Sequence, residues 1–189
     1  MVPMDRQTAL ALLQEYTQKE GLLKHAYAVE AAMCAYARKF NQDETKFGIV
    51  GLLHDFDYEK YPSPDQHPEV GSRILRERGY PDDVIYAILS HAEYLGLVRE
   101  SLMDKTLFAV DELVGFITAV TLVRPNKNIA EVKVSSVNKK LKDKRFASSV
   151  DREHIRMGAQ ELGVDLDEHI AFIIEAMKSV SDLLGLDGL

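Results

Sequence analysis

The sequence predicts an all-α protein folded as one helical bundle, and three observations carry that expectation. Apolar residues recur three or four positions apart along nearly the whole chain, the period of a helix buried on one side. Capping residues, glycines and prolines punctuate the pattern at helix-length intervals. Only Glu131-Val132-Lys133-Val134 alternates as a short strand would, and a helix suits it as well. With 189 residues, no repeat and no Pro/Gly/Ser-rich linker, residues 1–189 are expected to form one domain with a sizeable core.

A first helix is expected over residues 5–19, with Leu10, Leu12, Leu13 and Tyr16 inward and Gly21 breaking it. The second, over 22–40, carries Leu22, Ala26, Val29, Met33, Ala37 and Phe40 on one face. Asp43 is placed to cap a third helix bearing Phe47, Val50, Leu53 and His54. Residues 57–66, with Pro62 and Pro64, read as a loop. His67-Pro68 opens a helix to about Arg78, since proline suits a first turn. Gly79-Tyr80-Pro81 ends it and starts the next, whose Asp82 and Asp83 favour the positive end of the helix dipole. Residues 101–123 are the most apolar segment and the expected central helix, stopped by Arg124-Pro125-Asn126. Two final helices, near 149–162 and 166–185, flank Gly163, making about eight helices in all.

Composition excludes several classes. Thirty acidic against 23 basic residues give a net charge of −7, which disfavours a nucleic-acid polymer as partner. The single Cys34 cannot form an internal disulfide or a cysteine zinc cluster, and with Met33 it reads as core. No apolar run approaches a membrane span, and the first six residues lack a signal-peptide layout, so a cytoplasmic protein is expected.

The chemistry lies in polar residues set into apolar helices. His25 interrupts a packing face, and His91 follows Ile88-Leu89-Ser90. His54-Asp55 closes the apolar run Gly51-Leu52-Leu53, while His67 stands just before a helix. Asp111 breaks the most apolar helix, between Leu107-Phe108-Ala109-Val110 and Leu113-Val114. Its neighbour Glu112 belongs on a different, more exposed face. Each residue alone has an ordinary reading as a hydrogen-bonded core group or a cap. Together they are ligand types for divalent ions, and buried carboxylates and imidazoles need partners. Four imidazoles and two carboxylates exceed what one catalytic ion takes from a protein and suit two.

The order His25, His54-Asp55, His67, His91, Asp111 resembles the HD-domain superfamily of metal-dependent phosphohydrolases, in its binuclear, HDIG-type form H…HD…H…H…D. The likeness spans residues 20–125, leaving 126–189 as C-terminal helices packed on that core. It implies that His25, His54, Asp55 and Asp111 hold one metal, that His67 and His91 hold a second, and that Asp55 bridges them. Two divalent ions (Fe, Mn, Zn, Co, Ni or Mg) would then cleave a phosphoester of a small metabolite or nucleotide by a metal-bound hydroxide positioned by Asp55.

The likeness has departures. The Ile-Gly-Lys that follows HD in related cyclic-dinucleotide enzymes is Phe56-Asp57-Tyr58 here, and Gly79-Tyr80-Pro81 lacks the motif that would surround it there. A minority of HD-fold proteins carry a di-iron centre on the same six ligands and act as oxygenases, which is the alternative activity. Lys105 and Arg124 are the candidate substrate-binding cations, by nearness in sequence to the ligand positions. His154 and His169 fall on polar segments and receive no role. The partners expected are a small phosphorylated substrate, with no nucleic-acid polymer and no membrane; a homodimer is a candidate assembly.

Overall fold

A computed structural model describes residues 4–188; residues 1–3, on which part of the no-leader expectation rests, and residue 189 lie outside it. Ten α-helices and two short 3-10 turns make up the described chain, with no strand among the described residues. The helices are α1 (Arg6–Tyr16), α2 (Glu20–Lys39), α3 (Glu44–Leu53), α4 (Glu69–Glu77), α5 (Asp82–His91), α6 (Leu102–Leu122), α7 (Val134–Leu141), α8 (Arg152–Leu162), α9 (Leu166–Lys178) and α10 (Ser181–Leu184).

Local chemistry explains most boundaries. Asp5 and Asp43 accept from the backbone N–H groups of Thr8 and Lys46 at the starts of α1 and α3. Ser101 and Asp104 form a reciprocal capping box at the start of α6. Asp151 accepts from the N–H groups of Glu153 and His154 at the start of α8, and Asp165 from those of Asp167 and Glu168 at the start of α9. Gly163 ends α8 with a φ of 74°, a left-handed conformation that costs glycine little.

The core forms where α2, α3, α5 and α6 meet. Seven consecutive residues of α3, Phe47 to Leu53, are buried, so it is enclosed on every side. Gly51 lets it do so: a Cβ there would lie 3.0 Å from the backbone of Glu30 on α2. At Gly158 a Cβ would stand 2.6 Å from Cα of Ala109, so α8 lies directly against α6. Helices α8 and α9 pack on α6, and α9 also on α2.

Several expectations are corrected. Helix α1 stops at Tyr16, and Gly21 sits inside α2 rather than breaking α1. The break falls at residues 17–19 because backbone there is satisfied from outside. The Glu59 carboxylate accepts from the N–H groups of Gln18 and Lys19 at 2.8 and 2.9 Å, and the Thr17 hydroxyl donates to the Phe56 carbonyl. No strand forms over 131–134: Glu131 ends a 3-10 turn (Ile129–Glu131), Val132 and Lys133 are extended and Val134 opens α7, and the one β-type pairing among the described residues is an isolated bridge between Asn128 and Asp187. The last helix is two, because i→i−3 bonds from Ser179 and Val180 tighten and end α9 before α10 begins. The helix count is therefore ten rather than eight. Cys34 is half-buried, whereas Met33 is fully buried. No described helix is long and apolar enough to cross a membrane.

His169 is the largest correction. It is 1% exposed, on the packed face of α9. Its Nε2–H donates to the Ala109 carbonyl of α6 at 2.9 Å, and its Nδ1 accepts from the Tyr36 hydroxyl of α2 at 2.6 Å. One neutral ring thus ties three helices, and burial lowers its pKa to about 4. Tyr36→Phe leaves Nδ1 without a donor and should cost about 1–3 kcal/mol in chemical denaturation. The folded pKa lies below the unfolded value of about 6.5. The folded state therefore binds fewer protons, and this stability is lost as pH falls from about 6.5 towards 4. The stability advantage of the native chain over His169→Gln should shrink by about 3 kcal/mol across that window. A difference that does not vary with pH would show the ring is not held neutral.

Candidate metal centre

The fold gathers all six singled-out residues at one place. His25 comes from the second turn of α2 and Asp111 from the middle of α6. His54 is the residue capping the C-terminus of α3, and His91 is the last residue of α5. His67 stands just before α4. Ring centroids of successive histidines lie close: His25 to His54 5.2 Å, His54 to His91 5.4 Å and His91 to His67 5.4 Å.

Helix ends orient the rings. The last carbonyls of a helix have no partner within it. His54 Nδ1–H donates to the Gly51 carbonyl at 2.8 Å, and His91 Nδ1–H donates to the Ile88 carbonyl. His67 Nδ1–H donates instead to the buried carboxylate of Asp57 at 2.8 Å. With Nδ1 occupied, each ring turns Nε2 into the site, the arrangement that fixes the tautomer of a metal-ligating histidine.

Those Nε2 atoms face carboxylate oxygens. His67 Nε2 and His91 Nε2 lie 3.2 and 3.4 Å from Asp55 Oδ1. His54 Nε2 lies 3.4 Å from both Asp55 Oδ2 and Asp111 Oδ1, and His25 Nε2 lies 2.9 Å from Asp111 Oδ1. His54 Nε2 and Asp55 Oδ1 are buried without a hydrogen-bond partner. A lone pair facing an anionic oxygen out of water is repulsive unless a cation, a proton or a metal ion, lies between them. The donor set therefore fits divalent ions. Two ligand groups can be drawn, His25/His54/Asp55 and Asp55/His67/His91, and they share Asp55.

Electrostatics express the same demand. Burial opposes a charge on His54, yet Asp55 and Asp111 outweigh it and hold its pKa well above the usual imidazole value. For His67, too, burial is outweighed by Asp55 and Asp57, which raise it to about 9. Asp55 and Asp111 are pushed up by enclosure, but the neighbouring rings hold both well below the carboxylate range.

Four contributors escape a reading of the sequence. Asp57, 1% exposed, accepts from His67 with one oxygen and from the Gly71 N–H with the other at 2.8 Å. A Cβ at residue 71 would sit 2.7 Å from the Asp57 carboxyl carbon, so glycine there admits the carboxylate. The available signal was the spacing, a second acid two residues after Asp55 in a loop that must be turned inward. Glu112, expected on a more exposed face, is half-buried and lines the cavity over the centre; burial, then Asp111, push its carboxyl up to about 7. His154, which had no role, lines the cavity as well. Arg99, nearly buried, pairs with Glu93 at the cavity wall and with Glu161 of α8, pinning the loop after α5.

That cavity has a volume of about 300 Å³, with Tyr58 and Tyr94 among its walls. No lysine or arginine lines it. Lys105 and Arg124 are not brought to it: Lys105 stands near Glu161, and Arg124 pairs with Glu131 at 3.2 Å. A nearness in sequence to ligand positions did not translate into nearness in space, because Lys105 lies beside Glu161 of α8 and Arg124 follows the end of α6, where Glu131 holds it.

A family model described as HD domain matches residues 22–113, a segment that contains all six residues. No curated protein and no solved structure matches.

Asp57→Asn keeps the shape but cannot accept from both His67 and Gly71. It should weaken ion binding at the His67/His91 side by about 10–100-fold, read by metal titration, while the His25/His54 side keeps its affinity. Equal weakening of both would show that Asp57 supports the fold rather than His67.

Proposed function

Residues 22–113 are an HD domain, and on that premise we propose that the chain is a metal-dependent phosphohydrolase with two divalent ions sharing Asp55. One observation carries the reading. A single half-buried carboxylate presents one oxygen to His67 and His91 and the other to His54, so it stands between two groups of ligand atoms.

His25, His54, Asp55 and Asp111 would hold one ion, and Asp55, His67 and His91 the other. When bound, such ions supply positive charge that acidifies a water and offsets charge on phosphoryl oxygens. The chain's own part is positioning. Backbone carbonyls and Asp57 engage Nδ1 of three imidazoles and turn Nε2 of each into the site. The Tyr94 hydroxyl donates to the His67 carbonyl and steadies the wall beside it. No serine or cysteine lines the cavity, so water is the group available to attack phosphorus. The lack of lysine or arginine leaves the ions and imidazoles as the positive charges available to meet a phosphate there. This favours a compact monoester over a polyphosphate chain. The same lack is also what a di-iron oxygenase acting on an uncharged polyol would show, and that is the second reading.

The test is ion content together with turnover. Protein purified without chelator should carry close to two ions per chain. It should release phosphate from members of a monoester panel when given Mn²⁺, Fe²⁺, Co²⁺ or Mg²⁺. Asp55→Ala should lose both ions' tight binding and cut hydrolysis at least about a hundred-fold. Fewer than one ion per chain would defeat the binuclear reading; oxygen uptake on a polyol, with no phosphate release, would favour the second.

A further inference from the structure

A second cavity of about 320 Å³ adjoins the metal centre and shares two of its wall residues, His25 and Gly115. It lies between α2, α6 and the end of the chain. Leu122, Leu184 and Leu186 give it apolar walls, and Lys24, paired with Glu20 at 2.7 Å, stands at one side. The metal-centre cavity is different in kind, lined largely by imidazoles and carboxylates.

Two helical glycines keep this slot open. Glycine is the poorest helix former after proline, so its place inside a helix needs a reason. Elsewhere in the chain the reason is contact, as at Gly51 and Gly158, where a Cβ would collide with backbone. At Gly21 of α2 and Gly115 of α6 a Cβ would meet nothing within 4 Å, and both residues line the slot. Gly115 stands four residues after Asp111, one turn along the same face of α6, where the two cavities meet. Space is left open there at the expense of helix propensity, and it borders the metal centre's own cavity at His25 and Gly115.

We propose that this slot holds the apolar organic group of the substrate, so that the chain selects phosphate monoesters of medium-sized apolar alcohols, with Gly115 and Gly21 setting the selectivity. The proposal rests on the phosphohydrolase reading for the phosphate end alone. Water adds its oxygen to phosphorus, the ester P–O bond breaks, and a proton passes to the leaving oxygen. The products are inorganic phosphate and the free alcohol, which the slot holds until release. An apolar chain fits the slot because its leucine walls offer no hydrogen bonds to replace those a sugar would lose.

Two measurements test this on the whole chain. The first is direct binding of 1-hexanol by ligand-observed NMR, with and without added ions. The native chain should bind it, Gly115→Ala should bind it within about threefold, and Gly115→Leu and Gly21→Leu should bind it at least tenfold more weakly. Both leucines enter open space and improve the helix, so folding should be kept, and thermal melting confirms it. The second is the ratio of kcat/KM for n-hexyl phosphate to that for methyl phosphate, which should exceed one and fall at least tenfold in each leucine variant. No hexanol binding by the native chain, equal binding by the leucine variants, or an unchanged ratio would overturn the proposal. If no ester is hydrolysed but hexanol binds and the leucine variants abolish it, the phosphohydrolase reading fails and the slot stands.

Discussion

Asp55 is the constraint on which the rest depends. Its carboxylate is set among three imidazole Nε2 atoms, each within 3.2–3.4 Å of one of its oxygens. Out of water such a cluster repels itself, and a cation must sit within it. The fold does not relieve the conflict by letting a ring turn over. It enforces it, anchoring each Nδ1 so that each Nε2 points inward. A centre built only for stability would have been cheaper as leucine and valine, as buried charges generally are.

The anchors explain why the ligands stand where they do in secondary structure. Two of the six are at helix C-termini, where unpaired carbonyls already wait for donors. His67 lacks such a carbonyl, and Asp57 replaces it; Gly71 in turn makes room for Asp57. The same loop that delivers Asp57 delivers Glu59 to the start of α2, and so positions the helix that carries His25. Site and scaffold are in this sense one network, running from the end of α3 through the loop to α2 and α4.

Charge is divided in the same economical way. The chain is acidic overall, with a net charge of −7. The cavity over the centre has no lysine or arginine of its own, and among the described residues Lys24 is the one lysine or arginine lining either of the two adjacent cavities. Attraction for an anion would therefore come from ions held by the carboxylates and imidazoles, a strongly local field inside a repelling surface. The apolar slot beside it adds shape without adding charge.

Much of this was legible in the residues. Helical periodicity, the caps Asp43 and Ser101, and the stops at Gly79 and Gly163 follow from local sequence, because helix ends are decided by hydrogen bonds to near neighbours. The six polar residues stood out because each interrupts an apolar face. What local sequence could not decide was set by distant partners. Glu59 decides where α2 begins, although it lies 40 residues away from Lys19. His169 reads as polar until Tyr36 and Ala109 are seen to close around it. Lys105 and Arg124 looked close to the centre because sequence distance measures chain length and not the face of a helix. Asp57, Glu112, His154 and the slot past Gly115 belong to the tertiary structure alone. Their meaning is a matter of which surfaces meet, and only packing brings α2, α6 and α8 together around the same few ångströms.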